Sequence, residues 1–454
     1  MPPHEEDDTT TTTQDLIQLA SEEGVSCVRG PDNVFTDWPT WAAQHPQRHD
    51  ESVQVHFGRM EWQTQQQQRK TNPLTITMVS WNVLSNTWYL ASPEDYTHVT
   101  QEDGAWSTRF ARIVAWIDQL RPDVLTLQEV DFEQFDTEWL PALSALGYDG
   151  RMQSRRNHSA RQPCGVATFF QSHRLQPAVD SKTRQEQVVS FSRTMALRFQ
   201  VLNNTRDDES QPTSRFVTVI NAHLESTQRV EGFIKRAKQL NSALAWAARV
   251  EDKGSHNAVL MGGDFNTGND SQLFAVLRHY AWHGHAWAHA FEHPATVTSL
   301  PVCRETFCVP GHHYKIDHLL YTHEYLRLRG VLSAFDEAEM AEHMPAGTRE
   351  WGLPNLICPS DHVPIGAIFD LLDDKDLSVI VKPELPTLDE ATQKRLREEW
   401  TQLVSKRPTT CKGKPSPDEL VQRQDHAQRV KAWKNAQGTQ LEQEFCQNLI
   451  KGRI

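Results

Sequence analysis

A chain of 454 residues, 38% of them hydrophobic, is long enough for one large α/β domain with appendages or for two domains. Its formal net charge of -13 argues against a protein that coats nucleic acid through its overall field, so an anionic substrate has to be met by local groups. No window approaches the roughly 18 uninterrupted apolar residues of a membrane span, which argues against membrane attachment.

The opening "MPPHEEDDTTTTTQ" has neither an apolar signal core nor the Arg-rich, acid-poor character of a presequence, so a cytoplasmic location is expected, with the nucleus as the alternative. Low-complexity Thr and acid at the start and "QTQQQQRK" at 63–70 mark residues 1–73 as a partly disordered N-terminal extension. The catalytic domain is expected over 74–372. "LTITMVSWN" alternates Leu74, Ile76 and Met78 as a half-buried strand does. "WSTRFARIVAWIDQLRPD" puts Phe110, Ile113, Val114, Ile117 and Leu120 on one helical face and stops at Pro122. Strands "DVLTLQEVD", "GVATFF" and "RFVTVINAHL" follow, then a helix carrying Val230, Phe233, Ile234, Ala237 and Leu244. "AVLMGGDFN", "KIDHLLY" and "SDHVPIGAIFDL" complete an α/β pattern, the last as a buried edge strand.

Beyond 372 a helical C-terminal extension, 373–454, is expected. "TLDE" at 387, "SPDE" at 416 and "TQLE" at 439 each place Ser or Thr three residues before Glu, the capping-box spacing. Leu396, Trp400, Leu403 and Val404 form one apolar stripe, and Leu441, Phe445 and Leu449 another. These stripes face the parent domain or a protein partner. The seven scattered cysteines include no CxxC pair, so reduced thiols are expected. Cys303 and Cys308 with His312 and His313 lack the paired spacing of a structural zinc site and read as a loop.

Nearly every strand ends in a polar group: Asn82, Glu129, His223, Asp264 with Asn266, Asp317, and Asp361 with His362. Asp264 and Asn266, two apart, can project to the same face, while Gly262 and Gly263 allow close backbone approach. Four carboxylates in one pocket repel unless a cation or protons neutralise them, and a hard oxygen set suits Mg²⁺ or Mn²⁺. A divalent metal, a carboxylate that handles water and a histidine beside the phosphate are the parts of phosphodiester hydrolysis.

"WNVLSNTWY", "WSTRFARIVAWI" with "RPDVLTLQEVD", "NAHLES", "MGGDFNTGNDS", "KIDHLLY" and "PSDHVPI" stand in the order found in the endonuclease/exonuclease/phosphatase superfamily. Over 74–371 the chain most resembles the deadenylase-like nucleases of the carbon-catabolite-repression, nocturnin and angel type. The resemblance implies a four-layer α/β/β/α sandwich, as in deoxyribonuclease I, and a Mg²⁺-dependent 3′-to-5′ exoribonuclease that releases 5′-nucleotides from an RNA 3′ end. It implies metal binding by Glu129, supported by Asn82 and with Asp361 at the metal or its water. It makes Asp264 the group that positions or activates water, Asn266 and His223 phosphate contacts, and His362 the catalytic histidine oriented by Asp317.

Two departures keep other readings open. Cys164-Gly165 stands where the family often has Asp-Gly, and Glu225-Ser226 after "HL" is reminiscent of the tyrosyl-DNA phosphodiesterase branch. The same fold could therefore act on a tyrosyl-DNA adduct, a nucleotide cofactor or a phospholipid head group, or serve as a non-catalytic RNA-associated scaffold. For the nucleic-acid backbone, "RMQSRRNHSARQPCG" offers Arg151, Arg155, Arg156 and Arg161, and Trp88 is a candidate for stacking on a base.

Overall fold

The computed structural model describes residues 62–64, 74–155, 162–202, 215–228, 230–250, 257–268, 271–279, 285, 287–292, 306–332, 352–355, 357–372, 389–405 and 417–450. In chain order these form β1 (Trp62–Thr64), β2 (Thr75–Asn82), α1 (Asn86–Ala91), α2 (Trp106–Leu120), β3 (Val124–Asp131), α3 (Leu140–Ala145), β4 (Tyr148–Met152) and β5 (Cys164–Gln171). Then come β6 (Leu175–Pro177), β7 (Val188–Ser190), β8 (Thr194–Val201), β9 (Arg215–His223), α4 (Val230–Arg249), β10 (Asn257–Asp264) and α5 (Gln272–His279). The remainder are β11 (Trp287–His289), β12 (Phe307–Val309), β13 (His312–Tyr314), β14 (Asp317–Thr322), β15 (Leu326–Leu332), β16 (Ile365–Leu371), α6 (Glu390–Ser405), α7 (Pro417–Ala436) and α8 (Gly438–Ile450).

One sheet has the order β1-β15-β16-β2-β3-β5-β4 and the other β11-β14-β10-β9-β8-β6, with β7 also on β8. Because side chains alternate along a strand, each central strand feeds two cores at once. From β2, Ile76 and Met78 pack between the sheets with Leu260 and Val219, while Val79 and Trp81 pack outward against Ile113, Trp116 and Ile117 of α2. From β10, Ala258 and Leu260 face inward and Val259 and Met261 face Phe233, Ala237 and Leu240 of α4. The sequence of layers is helix, sheet, sheet, helix, as the resemblance implies.

Being covered on both faces, β2 alternates only over its first residues and is then buried throughout. Gly262 lies where the sheets touch: a Cβ there would lie 2.7 Å from Met78 Cε and 3.0 Å from Ser80 Cβ, so the Met78 side chain would have to shift. Gly263 has φ +153, and a Cβ would strike the Ala222 carbonyl.

Several expectations are corrected. β16 is not an edge strand; it lies between β15 and β2, antiparallel to both. On α2, Val114 is only partly buried and Trp116 is fully buried, its indole N–H donating to the Ile357 carbonyl at 3.0 Å. The Cys308–His313 stretch is a β12–β13 hairpin rather than a loop. Cys303 lies outside the described residues, and among the described residues no cluster of three or more His, Cys, Asp or Glu is placed to hold a metal ion. α6 starts under Asp389, whose carboxylate accepts the Thr392 N–H at 2.7 Å, and Thr387 lies outside the described residues. Thr439 sits inside α8, which follows α7 after a single turn residue.

The last helix packs on the sandwich: Phe445 meets Phe233 of α4 edge-on at 6.1 Å, and Cys446 is buried in the outer core of the second sheet. On α6, Leu396 is buried, while Trp400 is 40% exposed beside Trp433 of α7 at 5.5 Å. No described helix is long and apolar enough to cross a membrane.

Candidate active site

Each sheet holds one parallel pair, β2 with β3 and β9 with β10, so the C-terminal ends of both strands of a pair reach the same edge. That edge carries Asn82 and Glu129 in the first sheet, His223 and Asp264 in the second. β14 and β16 run antiparallel to their neighbours, so their starts lie at the same edge. Asp317 opens β14 directly opposite Asp264 in register, and Asp361 and His362 lie just before β16, separated from it by Val363 and Pro364.

Glu129 departs from the strand to reach this position. Its φ of 63 falls in the left-handed region, at a shift in the β3–β5 register between Leu127 and Val130. A bulky residue there carries strain of about 1–3 kcal/mol, held by surrounding contacts. The Ser85 N–H donates to Oε2 at 3.1 Å and the Asn82 amide to Oε1 at 3.2 Å. Asn266, with φ 51, is the kind of residue that tolerates this conformation. Its backbone N–H donates to Asp264 Oδ1 at 2.8 Å and its amide to the Leu224 carbonyl at 3.0 Å.

The groups meet across the two sheets. Asn82 Nδ2 also donates to Asp264 Oδ2 at 3.2 Å and lies 3.4 Å from His362 Nε2. His223 Nε2 is 3.7 Å from Asp264 and 3.8 Å from Glu129. His362 Nδ1 is 2.7 Å from Asp317 Oδ2, which leaves Nε2 directed at Asp264, 3.8 Å away. Ser360 Oγ donates to the Asn82 carbonyl at 2.6 Å and accepts the His362 N–H at 3.2 Å, so "SDH" is wired to the first sheet as well.

Burial sets the protonation. It raises Glu129, and the Asp361 charge adds to the rise. It raises Asp264 to about 7 against the pull of the His362 charge. For His362 burial works downward, but Asp317, Asp361 and Asp264 outweigh it and hold the imidazole up, at about 10. The cleft thus contains an imidazolium beside a carboxyl group that titrates near neutrality.

Two side chains that the motif reading missed complete the acidic corner. Tyr96 donates to Asp361 Oδ2 at 2.9 Å. Arg109, fully buried in α2, donates to the Leu84 carbonyl at 2.9 Å and to those of Val83 and Pro359 at 3.4 Å, tying the turn after β2 to the segment before β16. Arg109 stood in plain view within "WSTRF", on the buried face of the helix; a cation there has to serve backbone carbonyls or a site.

The cleft above these groups encloses about 810 Å³ and is lined also by Trp88, Phe307, Tyr314, Arg193, Gln162, Ser226 and Gln228. Trp88 is 39% exposed, with its indole N–H donating to Cys164 Sγ at 3.2 Å. Arg151 and Arg155 are not on the described wall: Arg151 donates to Glu186 at 2.7 and 2.8 Å and to Asp149 at 2.9 Å, and the largely exposed Arg155 guanidinium lies over the Phe132 ring at 5.5 Å. Arg156 and Arg161 lie outside the described residues.

The donors present fit a hexahydrated-type cation such as Mg²⁺, which takes one or two carboxylates and keeps several waters. The Glu129 side chain, 15% exposed, and the buried Asp361 are carboxylates whose mutual repulsion an ion would relieve, and the Asn82 amide oxygen already accepts the Leu84 N–H at 3.1 Å.

A four-layer sandwich whose two sheets end in one buried cluster of carboxylates and imidazoles is a deoxyribonuclease I-like protein. More particularly, the chain belongs to the Endonuclease/Exonuclease/phosphatase family, whose model matches residues 79–362. It is 22% identical over 344 residues to the CCR4-Not complex 3′-5′-exoribonuclease subunit Ccr4 of Candida albicans, covering 66% of this chain and 42% of that protein. It is 29% identical over 219 residues to Protein angel homolog 2 of Bos taurus, covering 46% of this chain and 37% of that protein. It thus spans less than half the length of these relatives. The solved structure of ANGEL2, described as a 2′,3′-cyclic phosphatase, in complex with adenosine-2′,3′-vanadate, superposes with TM-score 0.54 at 22% identity over 69% of this chain and 99% of that one.

Proposed function

We propose that the chain is a divalent-metal-dependent phosphodiester hydrolase, a deadenylase-like exoribonuclease that removes 5′-nucleotides from an RNA 3′ end. The observation that carries the chemistry is the His362–Asp317 contact of 2.7 Å with Nε2 turned toward Asp264. The choice of RNA is supported by the likeness to Ccr4 proteins, named as 3′-5′-exoribonuclease subunits.

Glu129, Asp361 and Asn82 would hold Mg²⁺ or Mn²⁺, which would supply Lewis acidity and charge neutralisation to phosphodiester hydrolysis. Asp264, held by the Asn266 N–H and the Asn82 amide, orients the attacking water and takes its proton; a carboxylate raised to about 7 suits that task near neutral pH. His362, kept protonated by Asp317, donates from Nε2 to the charge that develops on phosphate. His223 and Asn266 hold the phosphate beside it. The exposed faces of Trp88 and Tyr314 offer stacking surface to bases of a single strand. In this reading the protein works in the cytoplasm or nucleus, as a domain over 74–372, with the faces of α6 and α7 free for a protein partner.

The test is end-labelled poly(A), mixed-sequence RNA, single-stranded DNA and a tyrosyl-DNA oligomer, each incubated with protein and Mg²⁺. RNA should shorten stepwise from its 3′ end and DNA of the same sequence should lag. Release of tyrosine from DNA with RNA untouched overturns the substrate assignment.

A further inference from the structure

A nucleic-acid backbone carries charge at every phosphate, whereas the acidic side chains of the cleft are Glu129, Asp264 and Asp361. Among the described residues on its wall, Arg193 is the single lysine or arginine. It immediately precedes β8, and its carbonyl accepts the His223 N–H at 2.9 Å, which pins it one strand away from the phosphate-facing end of β9. Adjacent strands are about 4.8 Å apart, so this cation stands beside the reacting phosphate's position rather than on it.

The Arg193 side chain is half-buried, and its guanidinium makes no hydrogen bond or ion pair with a described residue. Glu225 feels its charge but is already engaged, accepting from Thr227 Oγ1 at 2.7 Å and lying 3.3 Å from Lys235 Nζ. The same cleft also presents the neutral, hydrogen-bonding side chains of Gln162, Ser226 and Gln228. Gln228 is braced there by donation to the Ser226 and Asn266 carbonyls at 3.1 and 3.0 Å. A guanidinium with no partner among the described residues, in the same cleft as the braced Gln228 amide, suits a phosphate, which its planar fork can bind through two N–H groups.

Resting on the reading of the cleft as an RNA hydrolase, we propose that Arg193 forms a subsite for a second, non-scissile phosphate. The preferred substrate is then an oligonucleotide with at least two phosphates rather than a nucleotide with one. The sequence motif "SRTMAL" gave no hint, since nothing in its spacing places Arg193 beside His223.

Binding to the full chain in Mg²⁺ tests this without turnover. The probe is a fluorescein-labelled tetraadenylate with phosphorothioate linkages, read by anisotropy, with adenosine 5′-monophosphate as unlabelled competitor. Arg193→Gln should weaken the tetraadenylate by about 10- to 100-fold, the loss of a charge-assisted hydrogen-bond pair, and leave the monophosphate constant unchanged. Arg193→Lys should fall between, keeping charge without the fork. The slope of log affinity against log salt should flatten by about 0.7 in Arg193→Gln. An unchanged tetraadenylate affinity, or equal weakening of both probes, overturns the subsite. RNA cleavage by the wild type reports separately on the hydrolase reading: Arg193-dependent binding without cleavage keeps the subsite and removes that reading, and cleavage with Arg193→Gln unaltered does the reverse.

Discussion

The first sheet is built around the parallel pair β2–β3, joined through α2, and the second around β9–β10, joined through α4; each pair is flanked by antiparallel strands, β16 and β5 in one, β14 and β8 in the other. At the shared edge this common frame carries different chemistry. The first sheet delivers Asn82, Glu129 and Asp361, with hydroxyl and amide donors around them. The second delivers His223, Asp264, Asn266 and Asp317. Neither set is complete: His362 comes from the first sheet and is oriented by Asp317 of the second. A shared frame thus fixes where side chains arrive, and under the proposed function the residue at each strand end would decide whether that half binds a cation or moves a proton.

If the halves divide the work in this way, the largest losses come from one residue in each. Glu129→Ala should lower hydrolysis by at least about 100-fold, with part of the loss recovered at high Mg²⁺, whereas Asp264→Asn should lose about 10²–10⁴-fold with no recovery. Steady-state rates across a metal titration distinguish the two, and recovery of Asp264→Asn by metal would break the division. Asp317→Asn should follow, losing about 100-fold in kcat while KM holds, because His362 loses the carboxylate that orients it and keeps it charged.

Smaller effects sharpen the picture. Tyr96→Phe removes one donor from Asp361 and should weaken metal affinity by about 10-fold, measured by calorimetry, leaving the melting temperature nearly unchanged. The seam between the sheets is polar at one point: Gln128 Nε2 donates to Asn221 Oδ1 at 2.8 Å, and Asn221 donates to the Leu127 and Ala167 carbonyls at 3.1 and 2.8 Å. Asn221→Leu strands these buried groups and should cost about 1–3 kcal/mol in denaturant unfolding. An Asn221→Leu protein of wild-type stability would show that the seam does not tie the halves together.

The pH dependence of the metal-free protein has a definite sign. Asp264 and His362 are both raised, so the folded state holds their protons more tightly than the unfolded chain. Their contribution is favourable at low pH; it declines for Asp264 as pH rises toward about 7 and for His362 between about 6.5 and 10. Thermal melts in EDTA should therefore fall as pH rises, through Asp264 up to about 7 and through His362 from about 6.5 to 10, and Mg²⁺ should blunt the part below 7.

Much of this was legible in the sequence, for identifiable reasons. Strand ends are marked by abrupt polar residues after apolar runs, which is why Asn82, Glu129, Asp264, Asp317 and His362 could be singled out before any coordinates. What periodicity could not show is sheet order. β16 reads as a terminal strand because it comes late in the chain, yet long-range pairing sets it between β15 and β2. Tyr96 and Arg193 were invisible for a related reason: one lies in an irregular turn and the other at the start of a strand, and only tertiary pairing brings them to Asp361 and His223. The box at 416 marked the start of α7 at Pro417, but those at 387 and 439 misplaced helix starts because Asp389 caps α6 and because α8 follows α7 after a single turn residue.

The most direct test of the account is Mg²⁺ binding by calorimetry in two buffers of different ionisation enthalpy, on wild type and on Glu129→Ala. Burial raises Glu129 and Asp264 in the metal-free protein, so binding should release protons and give buffer-dependent heats. Glu129→Ala should lose most of the affinity. Equal affinity in the two proteins, or no Mg²⁺ binding by the wild type, would contradict a cation held at the junction of the sheets.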